Sequence, residues 1–339
     1  MKIILDVVFL LVGFVLLIKG ADYFVDGSVA IAKKLKIPSI VVGLTIVAVG
    51  TSLPELAVSS MASLKQSNAI AVSNVVGSNI FNLLMVLGIT ALFININVKT
   101  SVLRREFPFL TIISALLVFL AADTVWFGGI LGDVNIFKFS NGNMTIGEVS
   151  RMDGILLLVL FVGFIIWTVS YALKQRVEEK EDTEIISNGK CALFIIGGVI
   201  AIMAGGELVV DSARSLALAA GMTETLVGLT IVALGTSLPE LVTSAVAAKK
   251  GEADLAVGNV VGSNIANGLL VLGVSATISP VTVTVMNSID ALIALIVTII
   301  VYIVSATQKS IKRREGILLV LIYGAYMVYI ICRQFSHAI

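Results

Sequence analysis

The sequence predicts an all-α polytopic membrane protein, with ten transmembrane helices arranged as two inverted-topology repeats of five. Three observations predict it. Hydrophobic residues make up 58% of the 339 residues and charged residues 13%, with a mean hydropathy of +1.06. A soluble domain is about 45–50% apolar and about 25% charged. The chain also repeats itself: GLTIVAVGTSLPEL at Gly43–Leu56 returns as GLTIVALGTSLPEL at Gly228–Leu241, and NVVGSNIFN at Asn74–Asn82 returns as NVVGSNIAN at Asn259–Asn267. The third observation is the uneven placement of Lys and Arg between the loops.

A hydrocarbon core takes about 20 apolar residues per helix. Candidate spans are 3–30, 39–63, 69–95, 107–122, 153–173, 191–219, 225–248, 254–279, 287–305 and 316–332. The first 20 residues have the look of a signal peptide, but they lack a small-residue cleavage site. They run on into Gly20–Ala32, a stretch with a second copy at Gly205–Ala217, so they belong to the mature fold. Several spans carry Gly, Pro, Ser and Asn at their centres, which predicts broken or kinked helices.

Sixteen Lys and Arg fall in the loops after odd-numbered spans and five on the other side. By the positive-inside rule the odd-to-even loops are cytoplasmic and both termini extracytoplasmic, in the cell (inner) membrane. Glu55 lies in the second span and Glu240 in the seventh, five crossings apart. An odd number of crossings inverts one copy relative to the other. The expected units are 1–173, with the motif 43–88, and 191–339, with its copy at 228–273. A short cytoplasmic linker of mixed charge, 174–190, joins them.

An intramembrane acid costs about 2.5–3.5 kcal/mol on insertion scales. Glu55 and Glu240 each incur that cost with no Lys or Arg nearby in the segment, so a cation from solution is the expected compensator. Thr51, Ser52, Thr236 and Ser237 place hydroxyls one turn before each glutamate. Pro54 and Pro239 free carbonyls about a turn earlier. Ser78, Asn79 and Asn82, with Ser263, Asn264 and Asn267, add oxygens. Ser78 and Asn82 are four residues apart, as are Ser263 and Asn267, so each pair shares a helix face. An all-oxygen set fits Ca2+ or Na+ better than Zn2+ or Cu+. For Asn74, Asn79, Asn259 and Asn264, interhelical hydrogen bonding is an equal reading. Asp22, Asp26, Glu207 and Asp211 either line an ion path or sit at the interface, paired with Lys19 or Arg214.

Other features exclude more than they predict. Cys191 and Cys332 have no metal-ligand spacing, and the single His337 lies near the end. No nucleophile–base set accompanies the glutamates, so an enzyme is not expected. No basic stripe suits nucleic acid. No resident cofactor is implied. The polar segment 123–152 reads as a connector, and its sequon Asn143-Met144-Thr145 matters only in a secretory pathway.

GTSLPE followed by NVVGSN, twice, resembles the cation/Ca2+ antiporter superfamily, and within it the prokaryotic sodium/calcium exchanger family. The resemblance covers nearly the whole chain. It implies Ca2+ and Na+ as transported ions, a four-lobed site at the midplane, and first helices of each half that slide across the core. By that resemblance Glu55, Glu240, Thr51 and Thr236 flank Ca2+. One Na+ site uses the Ala233 carbonyl, Thr236, Ser263 and Glu55; its mate uses the Ala48 carbonyl, Thr51, Ser78 and Glu240; Asn82 and Asn267 line the middle. Well-known members carry an acid where this chain has Asn267. The expected activity is Na+/Ca2+ antiport by a monomer in the lipid bilayer, normally extruding Ca2+. Proton/Ca2+ exchange on the same fold and a cation channel are the alternatives.

Overall fold

The computed structural model describes residues 2–66, 69–121, 145–174, 187–222, 227, 230–231 and 233–336. The sequon's Asn143 and Met144, His337 and most of the 174–190 linker lie outside the described residues, as does much of the 123–152 connector. Among the described residues, seven helices are long and apolar enough to cross a membrane. A bent pair, Ser39–Thr51 with Leu53–Leu64, makes an eighth. Two expected spans fall short of that length: 107–122 forms a helix of 16 residues, Glu106–Ala121, and only part of 225–248 is described.

The helices are α1 (Lys2–Leu35), α2 (Ser39–Thr51), α3 (Leu53–Leu64), α4 (Ile70–Phe93), α5 (Thr100–Arg104), α6 (Glu106–Ala121) and α7 (Arg151–Lys174) in the first half. The second half holds α8 (Asn188–Ala219), α9 (Ala233–Gly235), α10 (Leu238–Lys249), α11 (Ala253–Ile278), α12 (Val285–Gln308) and α13 (Arg313–Ser336).

The repeated motif breaks its helices at the same place in both copies. α2 and α3 meet at 45° across Ser52, and Pro54 lies in the first turn of α3. Pro239 holds the same place in α10. Proline has no N–H to give, so a helix that stops before it restarts with proline in its first turn. A π-turn interrupts α4 at Asn82–Val86 and α11 at Asn267–Val271, at the same repeat offset. Single π-turns inside α-helices cluster at functional sites.

α4 and α11 are the most enclosed helices and run antiparallel. Asn287, beyond the end of α11, donates to Ser73 near the start of α4 (2.8 Å), and Lys99, beyond the end of α4, pairs with Asp254 near the start of α11. Two small antiparallel sheets clasp the opposite ends of this pair. β1 (Ile96–Asn97) pairs with β4 (Ser310–Ile311), and β2 (Thr145–Val149) pairs with β3 (Val281–Thr284). Each sheet takes one strand from either half.

α1 and α8 pack along each other and leave their outer faces exposed. Gly13 faces Gly205, Gly20 faces Gly198, and Gly27 faces Phe194 and Ile195, so the two run antiparallel. The approach is close: a Cβ on Gly205 would meet the Gly13 carbonyl oxygen at 2.8 Å. Small residues are how membrane helices reach this separation. Isoleucines, leucines and valines such as Leu11, Val15, Leu193 and Ile196 point outward, as an apolar solvent requires.

Candidate cation site

The two helix breaks and the two π-turns meet in the middle of the molecule, where Glu55, Glu240, Asn82 and Asn267 are wholly buried. Hydrogen bonds repeat across the centre at the sequence offset. Ser237 Oγ donates to Glu55 Oε1 at 2.9 Å, and Ser52 Oγ donates to Glu240 Oε1 at 3.3 Å. Thr51 Oγ1 donates to Asn259 Oδ1 at 3.0 Å, and Thr236 Oγ1 to Asn74 Oδ1 at 3.4 Å. Asn79 Nδ2 donates to the Asn264 carbonyl at 3.3 Å, while Asn264 Nδ2 donates to the Asn79 carbonyl at 3.1 Å. Each half thus completes the other's site.

Two further residues belong to this frame. Asn74 Nδ2 donates to Ser59 Oγ (2.9 Å) and Asn259 Nδ2 to Ser244 Oγ (3.0 Å). The sequence reading missed Ser59 and Ser244. Both sit four residues after a glutamate, on its helix face, and share the repeat offset, so that offset was the available signal. Asn74, Asn79, Asn259 and Asn264 all make interhelical hydrogen bonds.

The serines sit differently from the sets the resemblance implied. Ser78 Oγ donates to Glu55 Oε1 (3.3 Å) and lies 2.9 Å from Ser237 Oγ. Ser263 lies against Thr51 Oγ1 (3.3 Å) and the Ala48 carbonyl (3.4 Å). Each serine therefore stands with the other of the two expected groups: Ser78 with Glu55 rather than Glu240, and Ser263 with Thr51 and Ala48 rather than with Glu55. The physical reason is the antiparallel crossing of α4 and α11, which lays Ser263 across the first motif and Ser78 across the second. Ala233 opens the one-turn segment α9, just ahead of Thr236 and Ser237.

What remains unsatisfied is informative. Glu55 Oε2, Glu240 Oε2, Asn82 Oδ1, Asn264 Oδ1 and Asn267 Oδ1 are buried with no hydrogen-bond partner. A buried oxygen without a donor costs about 1–3 kcal/mol, more when charged. All five are acceptors, two of them carboxylate oxygens, and a cation satisfies acceptors together where a donor satisfies one. The oxygen chemistry suits a hard cation. Among the described residues no cluster of three or more His, Cys, Asp and Glu occurs, so this is a site of low formal charge rather than a tight metal cage.

A cavity of about 560 Å3 reaches Pro54, Gly235, Thr236 and Pro239, with Glu207 and Asp211 of α8 on its wall. On the opposite side the equivalent acids are tied down: Lys250 Nζ lies 2.7 Å from Asp26 Oδ1 and 3.4 Å from Asp22 Oδ1. Phe24, wholly buried, closes over Gly50 there. Asp22 and Asp26 are thus ion-paired, Asp22 also within 3.7 Å of Lys19, whereas Glu207 and Asp211 stand on the cavity wall.

Fold and site define a multi-pass membrane protein with a buried oxygen-lined site. The profile of the family described as sodium/calcium exchanger protein matches residues 5–170 and 190–332. The chain belongs to that family. It is 33% identical over 343 residues to "Sodium/calcium exchanger MaX1" of Methanosarcina acetivorans, covering 94% of this chain and 96% of the relative. It is 36% identical over 283 residues to "Inner membrane protein YrbG" of Escherichia coli, covering 80% and 79%. Among solved structures, the sodium-calcium exchanger NCX_Mj superposes with a TM-score of 0.77 at 32% identity, covering 96% of this chain and 99% of the other.

Proposed function

We propose that this protein exchanges Na+ for Ca2+ across the cell membrane by alternating access and normally extrudes Ca2+. The observation that carries it is the ring of unpartnered buried oxygens, with a cavity beside the motif on one face and an ion-pair cluster on the other. Two of the relatives, MaX1 and NCX_Mj, are named sodium/calcium exchangers, which agrees with that reading. Ten spans form two inverted five-helix units, 1–173 and 191–339, with the linker 174–190 and both termini arranged as the positive-inside rule requires. Lys250 is then cytoplasmic, and the cavity beside Glu207 opens outward.

The ion ligands are Glu55 and Glu240, with Thr51, Thr236, Ser52, Ser237, Ser78, Ser263, Asn82, Asn267 and the carbonyls of Ala48 and Ala233. Two ionised glutamates are balanced by one Ca2+ or by two Na+. Both ions need the same carboxylates, so one displaces the other. An empty, doubly charged site is costly to carry through an apolar barrier, which couples the two fluxes. Sliding of α1 and α8 along their glycine-lined seam against the core exchanges the open side. Each chain holds both halves of the ring, so a monomer suffices.

The test is Ca2+ uptake into Na+-loaded proteoliposomes, with Glu240→Gln as the blank. Uptake that requires internal Na+ and vanishes in the variant is the expected result. Uptake that follows an imposed pH gradient without Na+ replaces this reading with proton/Ca2+ exchange. Gradient-dissipating Ca2+ flux with no counter-ion replaces it with a channel.

A further inference from the structure

The amide of Asn267 has only one orientation available to it. The Asn264 carbonyl oxygen accepts and never donates, so the end of the Asn79 side chain that faces it at 3.3 Å is Nδ2. Asn79 therefore turns Oδ1 the other way. That oxygen lies 3.2 Å from the Asn267 side chain, which must answer with its own Nδ2. Asn267 Oδ1 is left pointing away from Asn79, buried and without a donor. Two side-chain amides in series convert one backbone carbonyl into a fixed oxygen ligand in the ring.

At the mirror position the Asn79 carbonyl fixes the Asn264 amide in the same way, but the last link is missing. Asn82 occupies the equivalent place in the first half, and its expected donor contact would be with Asn264 Oδ1. That contact is not made: Asn82 Nδ2, Asn82 Oδ1 and Asn264 Oδ1 are all unpartnered. One amide at the centre is thus held with its oxygen presented, and the other is free to turn either end inward.

We propose that Asn79 is a positioning residue for ion binding, and that it makes Asn267 an oxygen donor of fixed direction to the transported cation. This rests on the exchange reading above and adds the device that lets a neutral amide serve at that position. An unanchored amide presents N–H to a cation as readily as C=O, and the N–H end repels it. A carboxylate at 267 would need no such anchor, because both of its ends are oxygen. The idea therefore predicts a specific coupling between positions 79 and 267.

The experiment is a four-corner cycle in proteoliposomes: wild type, Asn79→Ala, Asn267→Asp and the double variant, each read as the half-saturating Ca2+ concentration for Na+-dependent uptake. Losing an outer partner of a metal ligand costs about 10–100-fold in affinity. Asn79→Ala is expected to raise half-saturation by about tenfold when Asn267 is present. In the Asn267→Asp background the same change is expected to cost less than about twofold, since contacting residues couple and the coupling here runs through amide direction. Equal losses in both backgrounds would assign Asn79 to packing alone and overturn the proposal, as would no loss in either. If Asn79→Ala does not insert or fold, the same cycle with Asn79→Ser decides it. Failure of wild-type protein to exchange Na+ for Ca2+ would instead remove the functional reading, and leaves the cycle readable as Ca2+ binding to detergent-solubilised protein.

Discussion

The two faces of the molecule are built from the same motif and end in different states. On the face of Lys250, Asp22 and Asp26 are held in an ion-pair cluster and Phe24 covers Gly50. On the other, Glu207 and Asp211 stand at the same repeat positions on the wall of an open cavity. The repeat offset carries Lys250 onto Lys65 and Phe24 onto Val209. No ion pair joins Lys65 to Glu207 or Asp211 among the described residues. Near-symmetric sequence thus permits two arrangements of unequal shape, and a transporter needs two such arrangements of similar free energy.

The largest expected effect tests what the faces share. Glu240→Gln leaves one carboxylate for both faces, and Na+-dependent Ca2+ uptake is expected to fall by at least ~100-fold, more than an outer-shell change gives. If Glu55→Gln fails to match it, the two halves do not contribute equally. Next comes the aromatic plug. Phe24→Ala removes a wholly buried side chain and is expected to lower unfolding stability by about 3 kcal/mol, with Val209→Ala costing about half that. Thermal unfolding in detergent measures both, and equal losses would erase the contrast between the faces.

The serines sharpen the comparison further. Ser237→Ala removes a 2.9 Å donor from Glu55 and a 2.9 Å hydroxyl contact with Ser78, whereas Ser52→Ala removes one 3.3 Å donor from Glu240. A hydrogen bond to a charged group is worth about 1.5–3 kcal/mol, so Ser237→Ala should weaken half-saturation about tenfold and Ser52→Ala less. The smallest effect is the most direct test of the asymmetry. Surface ion pairs are worth about 0–1 kcal/mol, at most a fivefold change in populations. Lys250→Ala should lower, and Lys65→Ala raise, labelling of a cysteine placed at Val58 on the cavity wall. An impermeant maleimide reads this in a background without Cys191 and Cys332. Shifts in the same direction would show that the two lysines do not oppose each other.

Much of this was legible in the chain. Glu55 and Glu240 stood out because an acid in an apolar span needs a reason, and the proline immediately before it in each copy of Thr-Ser-Leu-Pro-Glu marked the helix break. The partners of Ser78 and Ser263 were not legible. Both read as ligands, but which glutamate each one serves depends on how α4 crosses α11, a distance in space that a repeat offset does not encode. Ser59 and Ser244 were missed because a serine in a membrane helix is more often a packing residue. The direction of the Asn267 amide was beyond sequence altogether, since it depends on the Asn264 carbonyl through Asn79.

By itself the sequence determined that this chain crosses a membrane repeatedly, says one motif twice, and buries two carboxylates among neutral oxygens. Those are consequences of local chemistry: apolar length, proline, and the cost of charge in hydrocarbon. Only the tertiary structure decided which side is open, which acids are paired and which oxygens are left without a donor. Each of those depends on contacts between residues some 185 positions apart, such as Asn79 with Asn264. Contacts at that range are set by how helices cross and slide, and one sequence supports more than one such arrangement.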